Sequence, residues 1–279
     1  MIVLENALVR AEIAPEQGAR VCSLQDRRSG RELLYRRADE RWDPDAYLPT
    51  LAGGWDQMFP NDDVWLDWPV HGALWSAAFP ARETSPVQAV LCCSLQTPQV
   101  DVEHCYELLA EPRAGVRLTT TVHARTAVGP FLWATHPMLA VAPGWRIEVG
   151  DATLEADRLD PGRARPGHVS AAGREAVLCL PRGNQGWQEV IYAQAAGEAS
   201  VASPDARNRT RVHWDESFFR HLWIVTLSGF ESVDLALVLE PCTTKPYRLD
   251  EAIAAARAES LEAGERRTFW SEVESLDAT

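Results

Sequence analysis

Apolar and polar residues alternate along much of the chain with a period of two, which is typical of half-buried β-strands. In residues 100–108 one parity is mostly apolar, whereas three positions of the other parity are acidic. A turn sequence at 111–115 separates this segment from a second alternating one at 116–122, so a β-hairpin is predicted. Further strands are predicted at residues 8–13, 20–25, 87–95, 131–141, 176–180, 189–195, 210–214, 221–227 and 232–239.

Helical character is convincing in one place only. The Ala-rich segment 251–259 follows Asp250, a good N-cap residue, and Gly264 lies shortly beyond it. Residues 40–69 contain six prolines and glycines among clustered Trp and Asp, which predicts a long functional loop. Without an internal repeat or linker, the pattern predicts an all-β sandwich of large antiparallel sheets. It forms a single domain, 1–279, with one short C-terminal helix.

Composition and charge narrow the function. The 279 residues are 46% hydrophobic and carry a net charge of −13, which argues against nucleic acid or an anionic membrane as a partner. No signal peptide and no membrane-length apolar run is visible, so a cytoplasmic location is expected. The six cysteines lack paired spacing and are predicted to be free thiols. Eleven Trp could stack on sugar rings, although a large β core also buries Trp.

Three patches far apart in the chain supply candidate chemistry: His71 in Val-His-Gly-Ala, His136 in Thr-His-Pro, and Glu240 in Leu-Glu-Pro. Each lies at the edge of a strand-like segment. A carboxylate and an imidazole on opposite sides of a sugar hemiacetal can move two protons, and burial would raise the carboxyl pKa toward neutrality. Structural alternatives remain open: a surface ion pair for Glu240, a core hydrogen bond for His136, and loop shaping for His71.

The order of these patches resembles the aldose 1-epimerase (galactose mutarotase-like) superfamily. The resemblance is carried by residues 4–24 with 30–34, by Gly53-Gly54-Trp55, Phe59-Pro60-Asn61 and His71-Gly72, by 131–137, and by 238–241 with 261–265 and Trp270. It spans nearly the whole chain. It implies a β-supersandwich and reversible ring opening of an aldose without a cofactor or a metal.

The same resemblance implies roles for individual residues. Glu240 would be the base, His136 the acid and His71 a positioning donor near the ring. We also predict a sugar site, with substrate-binding residues Asn61, Asp62, Trp75, Arg220 and Trp223.

The chain departs from the best-known mutarotase pattern in the residues around both histidines and in Pro241-Cys242 after the glutamate, which indicates a divergent branch. The main alternative is a non-catalytic carbohydrate-binding protein on the same scaffold. Glycoside hydrolysis by Asp62, Asp63 and Glu240 ranks lower, and a structural sandwich without a sugar site ranks last. No P-loop, G-x-S-x-G motif, dinucleotide fingerprint or zinc spacing occurs.

Overall fold

The computed structural model describes residues 1–37, 42–45, 47, 53–157, 174–175, 178–194, 197–230 and 233–277. Its strands are β1 (Ile2–Glu5), β2 (Val9–Ala14), β3 (Arg20–Asp26), β4 (Trp55–Met58), β5 (Ala81–Thr84), β6 (Gln88–Gln96), β7 (Gln99–Leu108), β8 (Ala114–Ala124), β9 (Val128–Phe131), β10 (Ala134–Leu139), β11 (Arg146–Glu148), β12 (Leu154–Ala156), β13 (Trp187–Ala193), β14 (Glu198–Ala202), β15 (Arg209–Trp214), β16 (His221–Phe230), β17 (Val233–Cys242), β18 (Glu259–Leu261) and β19 (Arg266–Ser275). Helix α1 (Leu249–Ala254) follows β17.

The strands form two large antiparallel sheets that share a core. One sheet has the order β1-β2-β3-β4-β10-β17-β16-β13-β12, and the other has the order β11-β14-β15-β19-β8-β7-β6-β5. A small sheet pairs β18 with β9. The main core cluster contains Val21 and Leu237 from the nine-stranded sheet and Val116 and Val273 from the eight-stranded one. Because one face of each sheet is apolar, the two sheets bury those faces against each other. The predicted all-β sandwich is therefore confirmed.

The nine-stranded sheet is also covered on its outer face. A second apolar cluster contains Met58, Met138, Trp223 and Val238, which have the opposite parity to the residues in the main core. Leu249 of α1 belongs to this cluster, so the helix packs against the outer face. Since both faces are buried, the central strands read as continuous apolar runs rather than as alternating ones.

Most predicted strands are present with small changes at their ends, but three predictions need correction. The segment 131–141 is two strands, because β9 ends at Phe131 in the small sheet and β10 begins at Ala134 in the nine-stranded sheet. Strand β4 lies inside the predicted loop 40–69; of that segment, 40–41, 46 and 48–52 fall outside the described residues. In the segment 176–180, the described residues 178–180 form only an isolated bridge from Cys179 to Arg146.

The two prolines beside the site do not end their strands. Strand β10 runs through Pro137, and β17 runs through Pro241 to Cys242, so Glu240 lies inside its strand. The ladder between β10 and β17 is interrupted at residues 135–137 and resumes at Met138. Because proline has no N–H, it removes ladder hydrogen bonds but leaves the extended backbone in place.

The C-terminal helix is shorter than predicted and begins earlier. It spans Leu249–Ala254, its N-cap is Arg248, and Asp250 forms an ion pair with Arg248 instead of capping the helix. Glu259 belongs to β18, which pairs with β9 and so draws the chain away from the helix. The six cysteines all lie in the described ranges and form no disulfide with one another, as predicted. Within the described ranges, no helix is long and apolar enough to span a membrane.

Candidate active site

A row of polar and aromatic side chains crosses the outer face of the nine-stranded sheet. Asp56 of β4 pairs with His136 of β10, Glu240 of β17 pairs with Trp223 of β16, and Trp223 pairs in turn with Tyr192 of β13. The ladder pairs on either side place His136 opposite Glu240. Since directly paired residues share one face of a sheet, all five side chains project to the same side. The β-register therefore assembles the row from segments far apart in the sequence.

A cleft of about 110 Å³ opens over this row. Its lining residues, the site cleft, are Asp62, Asp63, Val70, His71, His136, Gln188, Val190, Trp223, Val225, Glu240 and Tyr247. One water molecule needs about 10–15 Å³ of such space, so the cleft has room for a small molecule of several heavy atoms. Apolar and aromatic walls surround a few converging polar groups, which is the usual character of a small-molecule site.

The loop before β5 carries His71 to the cleft. The backbone N–H of His71 donates to the carbonyl of Asp62 over 2.6 Å, and His71 adopts a left-handed conformation with φ +64°. Gly72 follows at φ +70°, where a Cβ would lie 2.3 Å from the carbonyl oxygen of Phe59. A non-glycine residue rarely adopts this backbone conformation outside tight turns and functional sites. The loop thus holds the His71 imidazole over the sheet at a cost in backbone strain.

His136 forms a buried ion pair on the side away from Glu240. Its Nδ1 lies 3.1 Å from Oδ1 of Asp56, and both side chains are about nine-tenths buried. Burial alone lowers the pKa of His136, but the Asp56 carboxylate, with help from Glu240 and Asp62, raises this pKa to about 9. Burial likewise raises the pKa of Asp56, yet the nearby charge of His136 brings it below the ordinary value. The pair is thus an imidazolium and a carboxylate at neutral pH.

Glu240 is buried without such compensation. It is 2% exposed, and its Oε1 has no hydrogen-bond partner within the described part of the chain. Burial raises its pKa well above the ordinary value; His136 opposes this shift, whereas Asp62 and Asp56 add to it. A carboxyl with a raised pKa is a stronger base once ionised, so Glu240 is suited to accept a proton.

The second histidine is held in its neutral form. Burial, followed by the charge of His136, lowers the pKa of His71 well below the ordinary value. The two imidazole rings lie 5.0 Å apart between centroids, and Nε2 of His71 is 3.4 Å from Oδ1 of Asp62. The ring of Tyr47 packs against the imidazole of His71, with 3.6 Å between the ring centroids. A neutral imidazole in this position can donate or accept a hydrogen bond without adding a charge.

An aromatic pocket lies on the other side of His136. Its lining residues are Arg20, Trp42, Tyr47, Gly53, Asp56, Trp75, His136 and Met138, and its volume is only about 10 Å³. Trp75 meets Trp42 and Tyr47 in edge-to-face contacts at 4.9 and 5.1 Å. The predicted substrate residue Trp75 therefore supports the site from behind, and the space beside it is too small for a sugar.

The structure brings together most of the residues singled out from the sequence. His71, His136, Glu240, Asp62 and Trp223 all line the site cleft. Their chemical roles stay predictions.

Besides Trp75, two other predicted substrate residues do not line the cleft. Asn61 is fully buried and its amide donates to the carbonyls of Asp63 and Pro69, so it holds the loop that carries His71. Arg220 forms an ion pair with Glu259 of β18 and donates to the carbonyl of Thr243 at 3.2 Å. It lies just before β16 rather than within it, and its guanidinium is held by these partners instead of lining the cleft.

Three polar residues in or beside the site cleft were missed. Asp56 lay in the segment predicted as a loop, although a single carboxylate between Gly-Gly-Trp and Met-Phe-Pro is a signal of a buried functional acid. Asp56 lies behind His136, whereas Tyr247 and Gln188 line the cleft itself. They come from a turn and from the start of β13, and no local pattern in the sequence distinguishes them.

One group of side chains has the composition of a metal site. Asp56, His71 and His136 each offer a ligand atom within 4.8 Å of the others. Two imidazoles and a carboxylate suit zinc, iron or manganese. The Asp56–His136 ion pair already accounts for the closeness of two of the three, and a metal ion would have to displace the proton of that pair.

Comparisons with family models and with curated protein sequences find no match. Solved structures match along nearly the whole chain. A galactose mutarotase-like protein from Lactobacillus casei ATCC 334 matches with a TM-score of 0.72 at 19% identity, over 99% of each chain. A galactose mutarotase related enzyme from Lactobacillus acidophilus gives 0.71 at 11% identity, over 100% of this chain and 98% of that one. A protein from Escherichia coli K12, provisionally named an aldose 1-epimerase, gives 0.70 at 14% identity, over 99% and 98%. The chain has the galactose mutarotase-like fold, as the sequence resemblance predicted.

Proposed function

We propose that this protein is an aldose 1-epimerase-like isomerase that interconverts the α and β anomers of a hexose or a related sugar. The observation that carries the proposal is the pair formed by His136 and Glu240. They lie opposite each other on neighbouring strands, they line one cleft, and their pKa values are displaced in ways that suit an acid and a base. Two titratable groups in one cleft with distinct environments are a common basis for acid/base chemistry.

Ring opening requires two proton transfers. The ionised carboxylate of Glu240 takes the proton of the anomeric hydroxyl, and the electron pair left on that oxygen forms the aldehyde. The bond between the anomeric carbon and the ring oxygen breaks, and its electrons go to the ring oxygen, which takes a proton from Nε2 of the His136 imidazolium. The open-chain aldose then lies between a neutral imidazole and a protonated carboxyl.

Ring closure after rotation about the bond next to the aldehyde carbon gives the other anomer. Neutral His136 takes back the proton of the attacking hydroxyl, and protonated Glu240 returns its proton to the carbonyl oxygen. Both residues regain their starting states, so the cycle consumes no cofactor. General acid/base catalysis of this kind contributes typically 10²–10⁴-fold to a rate.

The other cleft residues bind and orient the sugar. His71 and Asp62 offer hydrogen-bonding groups from the loop side, and the aromatic rings of Trp223 and Tyr247 offer apolar surface. Trp223 is fixed because its indole N–H donates to the carbonyl of Thr244 over 2.8 Å. Flat aromatic surface suits the C–H face of a pyranose.

Anomer exchange measured by NMR on a panel of free aldoses tests the proposal, with the wild type beside Glu240→Gln. The substitution keeps the shape of the side chain and removes the base. We expect exchange that the wild type accelerates and the variant does not. The assay is repeated with EDTA, and we expect no change, because the proposed cycle uses only protein groups.

The outcomes separate the alternatives. Exchange that survives in Glu240→Gln would place the base elsewhere. Absence of exchange with every aldose, together with a saturable change in Trp fluorescence, would favour a carbohydrate-binding protein. Activity lost in EDTA and restored by zinc or manganese would overturn the metal-free cycle and indicate that Asp56, His71 and His136 hold an ion.

A further inference from the structure

We infer that Asp56 is a positioning residue that anchors Nδ1 of His136 and thereby presents Nε2 to the sugar. This inference rests on the proposed function for its kinetic consequences. Asp56 does not line the site cleft; it lines the aromatic pocket on the far side of His136. It therefore acts through the imidazole and not through contact with the sugar.

The backbone fixes Asp56 in this place. Strand β4 has four residues, all buried, and its register pairs Asp56 directly with His136. Gly54 precedes the strand at φ +84°, where a Cβ would lie 2.5 Å from the carbonyl oxygen of Val21, so glycine is required for the close approach of β3. On the inner face, Gln57 donates to Oγ1 of Thr135 at 2.8 Å and ties the same two strands together. The Asp56 carboxylate is thus held by the sheet rather than by a mobile loop.

Several charged or titratable groups face His136. Asp56 comes from β4 and Glu240 from β17, while the loop before β5 contributes Asp62 and His71. Tyr47 lies 6.4 Å away between ring centroids, and Arg20 of β3 lines the aromatic pocket beside Asp56. Among the acidic groups Asp56 raises the pKa of His136 most. Burial favours the neutral imidazole, so loss of the Asp56 charge should leave His136 mostly deprotonated at neutral pH.

A second pair in the molecule offers a matched control. Asp101 and His123 are also direct partners on antiparallel strands, β7 and β8, and Nδ1 of His123 lies 3.6 Å from Oδ2 of Asp101. Their side chains are 31% and 41% exposed for histidine and aspartate, against 11% and 7% in the Asp56–His136 pair. Exposed ion pairs contribute little to stability, and this one is remote from the cleft. The two pairs differ in burial and location but share residue types and strand pairing.

The test compares Asp56→Asn with Asp101→Asn. In Asp56→Asn we expect the turnover number to fall about 10–100-fold, with a KM change of less than about threefold, because the acid is lost without loss of a sugar contact. We expect the alkaline limb of the pH–rate profile to move down by about 1–3 pH units. Asp101→Asn should leave both quantities unchanged. Asp56→Glu should restore part of the turnover number, and its alkaline limb should lie between those of Asp56→Asn and the wild type.

A measurement independent of turnover accompanies the kinetics. The ring nitrogens of His136 are followed by ¹⁵N NMR against pH in the wild type and in Asp56→Asn. We expect the wild-type imidazole to lose its Nε2 proton only near pH 9 and to keep its Nδ1 proton above that pH, and the variant to lose a ring proton at lower pH. If Asp56→Asn does not fold, the wild-type spectrum alone still decides whether Nδ1 carries the proton.

Three results would overturn the inference: an unchanged titration of His136 in Asp56→Asn, a rate loss without movement of the alkaline limb, or Nε2 as the persistently protonated nitrogen in the wild type. The NMR titration also distinguishes failure of the inference from failure of the proposed function. If no aldose is turned over, a shifted titration still supports the Asp56–His136 coupling, and an unshifted one rejects it.

Discussion

Two buried glutamates, one on each large sheet, show how differently the fold treats the same side chain. Glu240 of β17 and Glu272 of β19 are 2% and 0% exposed. Glu272 accepts hydrogen bonds from the guanidinium groups of Arg113 and Arg117, and Nδ1 of His213 lies 3.5 Å away. Burial raises the pKa of Glu272, but the two arginines outweigh it and bring this pKa below the ordinary value.

Glu240 has no arginine to offset its burial among the groups that shift its pKa. The opposing charge comes from His136 alone, while Asp62 and Asp56 add to the effect of burial, and its pKa lies well above the ordinary value. An uncompensated buried carboxylate costs free energy, so a fold retains one where its reactivity is useful. Glu272 is thus placed to stabilise the sheet, and the uncompensated burial of Glu240 supports the proposal that it acts as the base.

Of the substitutions that test this difference between the two glutamates, Glu240→Gln should have the largest effect. We expect the rate of anomer exchange to fall about 10²–10⁴-fold, which is the usual contribution of acid/base catalysis. The folded-state pKa of Glu240 is raised. The contribution of this carboxyl to the free energy of unfolding is therefore fully present below its unfolded-state pKa and is lost as pH rises through the folded-state pKa. At neutral pH the neutral glutamine should therefore not lower the free energy of unfolding. Urea unfolding measured beside the NMR assay checks this, and a large loss of stability would contradict it.

The pH–rate profile of the wild type tests the pKa values of Glu240 and His136 without a substitution. Because Glu240 must be ionised and its pKa is raised, the acid limb of kcat/KM should lie above the ordinary range of a carboxyl group. Because His136 must be protonated, the alkaline limb should lie at about pH 9. Along either limb the rate changes about tenfold per pH unit. An acid limb at the ordinary value of a carboxylic acid would mean that Glu240 is not the base.

The counterpart, Glu272→Gln, should affect stability and spare activity. Loss of the charge weakens hydrogen bonds to Arg113 and Arg117, and a bond to a charged group contributes about 1.5–3 kcal/mol. Both arginines are more than a third exposed and can regain water, so we expect a total loss of about 1–3 kcal/mol in the free energy of unfolding. Anomer exchange should stay within about twofold of the wild type, because Glu272 is remote from the cleft.

The pH dependence of that loss has a definite sign. The folded-state pKa of Glu272 is lowered, so its stabilising effect is present above the unfolded pKa and is lost as pH falls through the folded pKa. The difference between the wild type and Glu272→Gln should therefore shrink in acid. A difference that stays constant across this range would show that the carboxylate charge is not its cause.

The sequence predicts the sandwich and most residues of the site, but it does not predict which strands are neighbours and so which side chains meet. Alternation of period two predicts strands such as β7 and β8 almost to their ends. It predicts neither β4 nor the division of 131–141, because a strand buried on both faces loses the alternation. Asp56 was missed for the same reason.

Register is the information that a single sequence lacks most. The pairing of β10 with β4 and β17 places His136 between Asp56 and Glu240, and no local pattern encodes which strands become neighbours. Arg220 illustrates the reverse error: it is close to Trp223 in the sequence, yet it does not line the cleft that Trp223 lines. Arg220 lies outside β16, and its guanidinium pairs with Glu259 of β18.

The smallest expected effect concerns a wall of the cleft that carries no charge chemistry. Tyr247 lines the site cleft, and its backbone N–H donates to the Tyr192 hydroxyl over 2.9 Å, so removal of its ring should leave the backbone anchored. An aromatic contact contributes about 0.5–1.5 kcal/mol beyond its buried area, so Tyr247→Leu should raise KM roughly 2–10-fold. The turnover number should change little, because the ring binds the ground state and the transition state alike.

Phe230→Leu is the matched control, since Phe230 packs against the same outer cluster but does not line the cleft. It should lower stability somewhat and leave KM unchanged. Steady-state kinetics on the sugar with the fastest exchange, with urea unfolding of both variants, gives the comparison. Equal changes of KM in the two variants would mean that the cluster affects the site through packing, whereas a loss of turnover confined to Tyr247→Leu would assign its ring to the proton transfers. Either result would contradict the view that Tyr247 only binds the sugar while Glu240 and His136 transfer the protons.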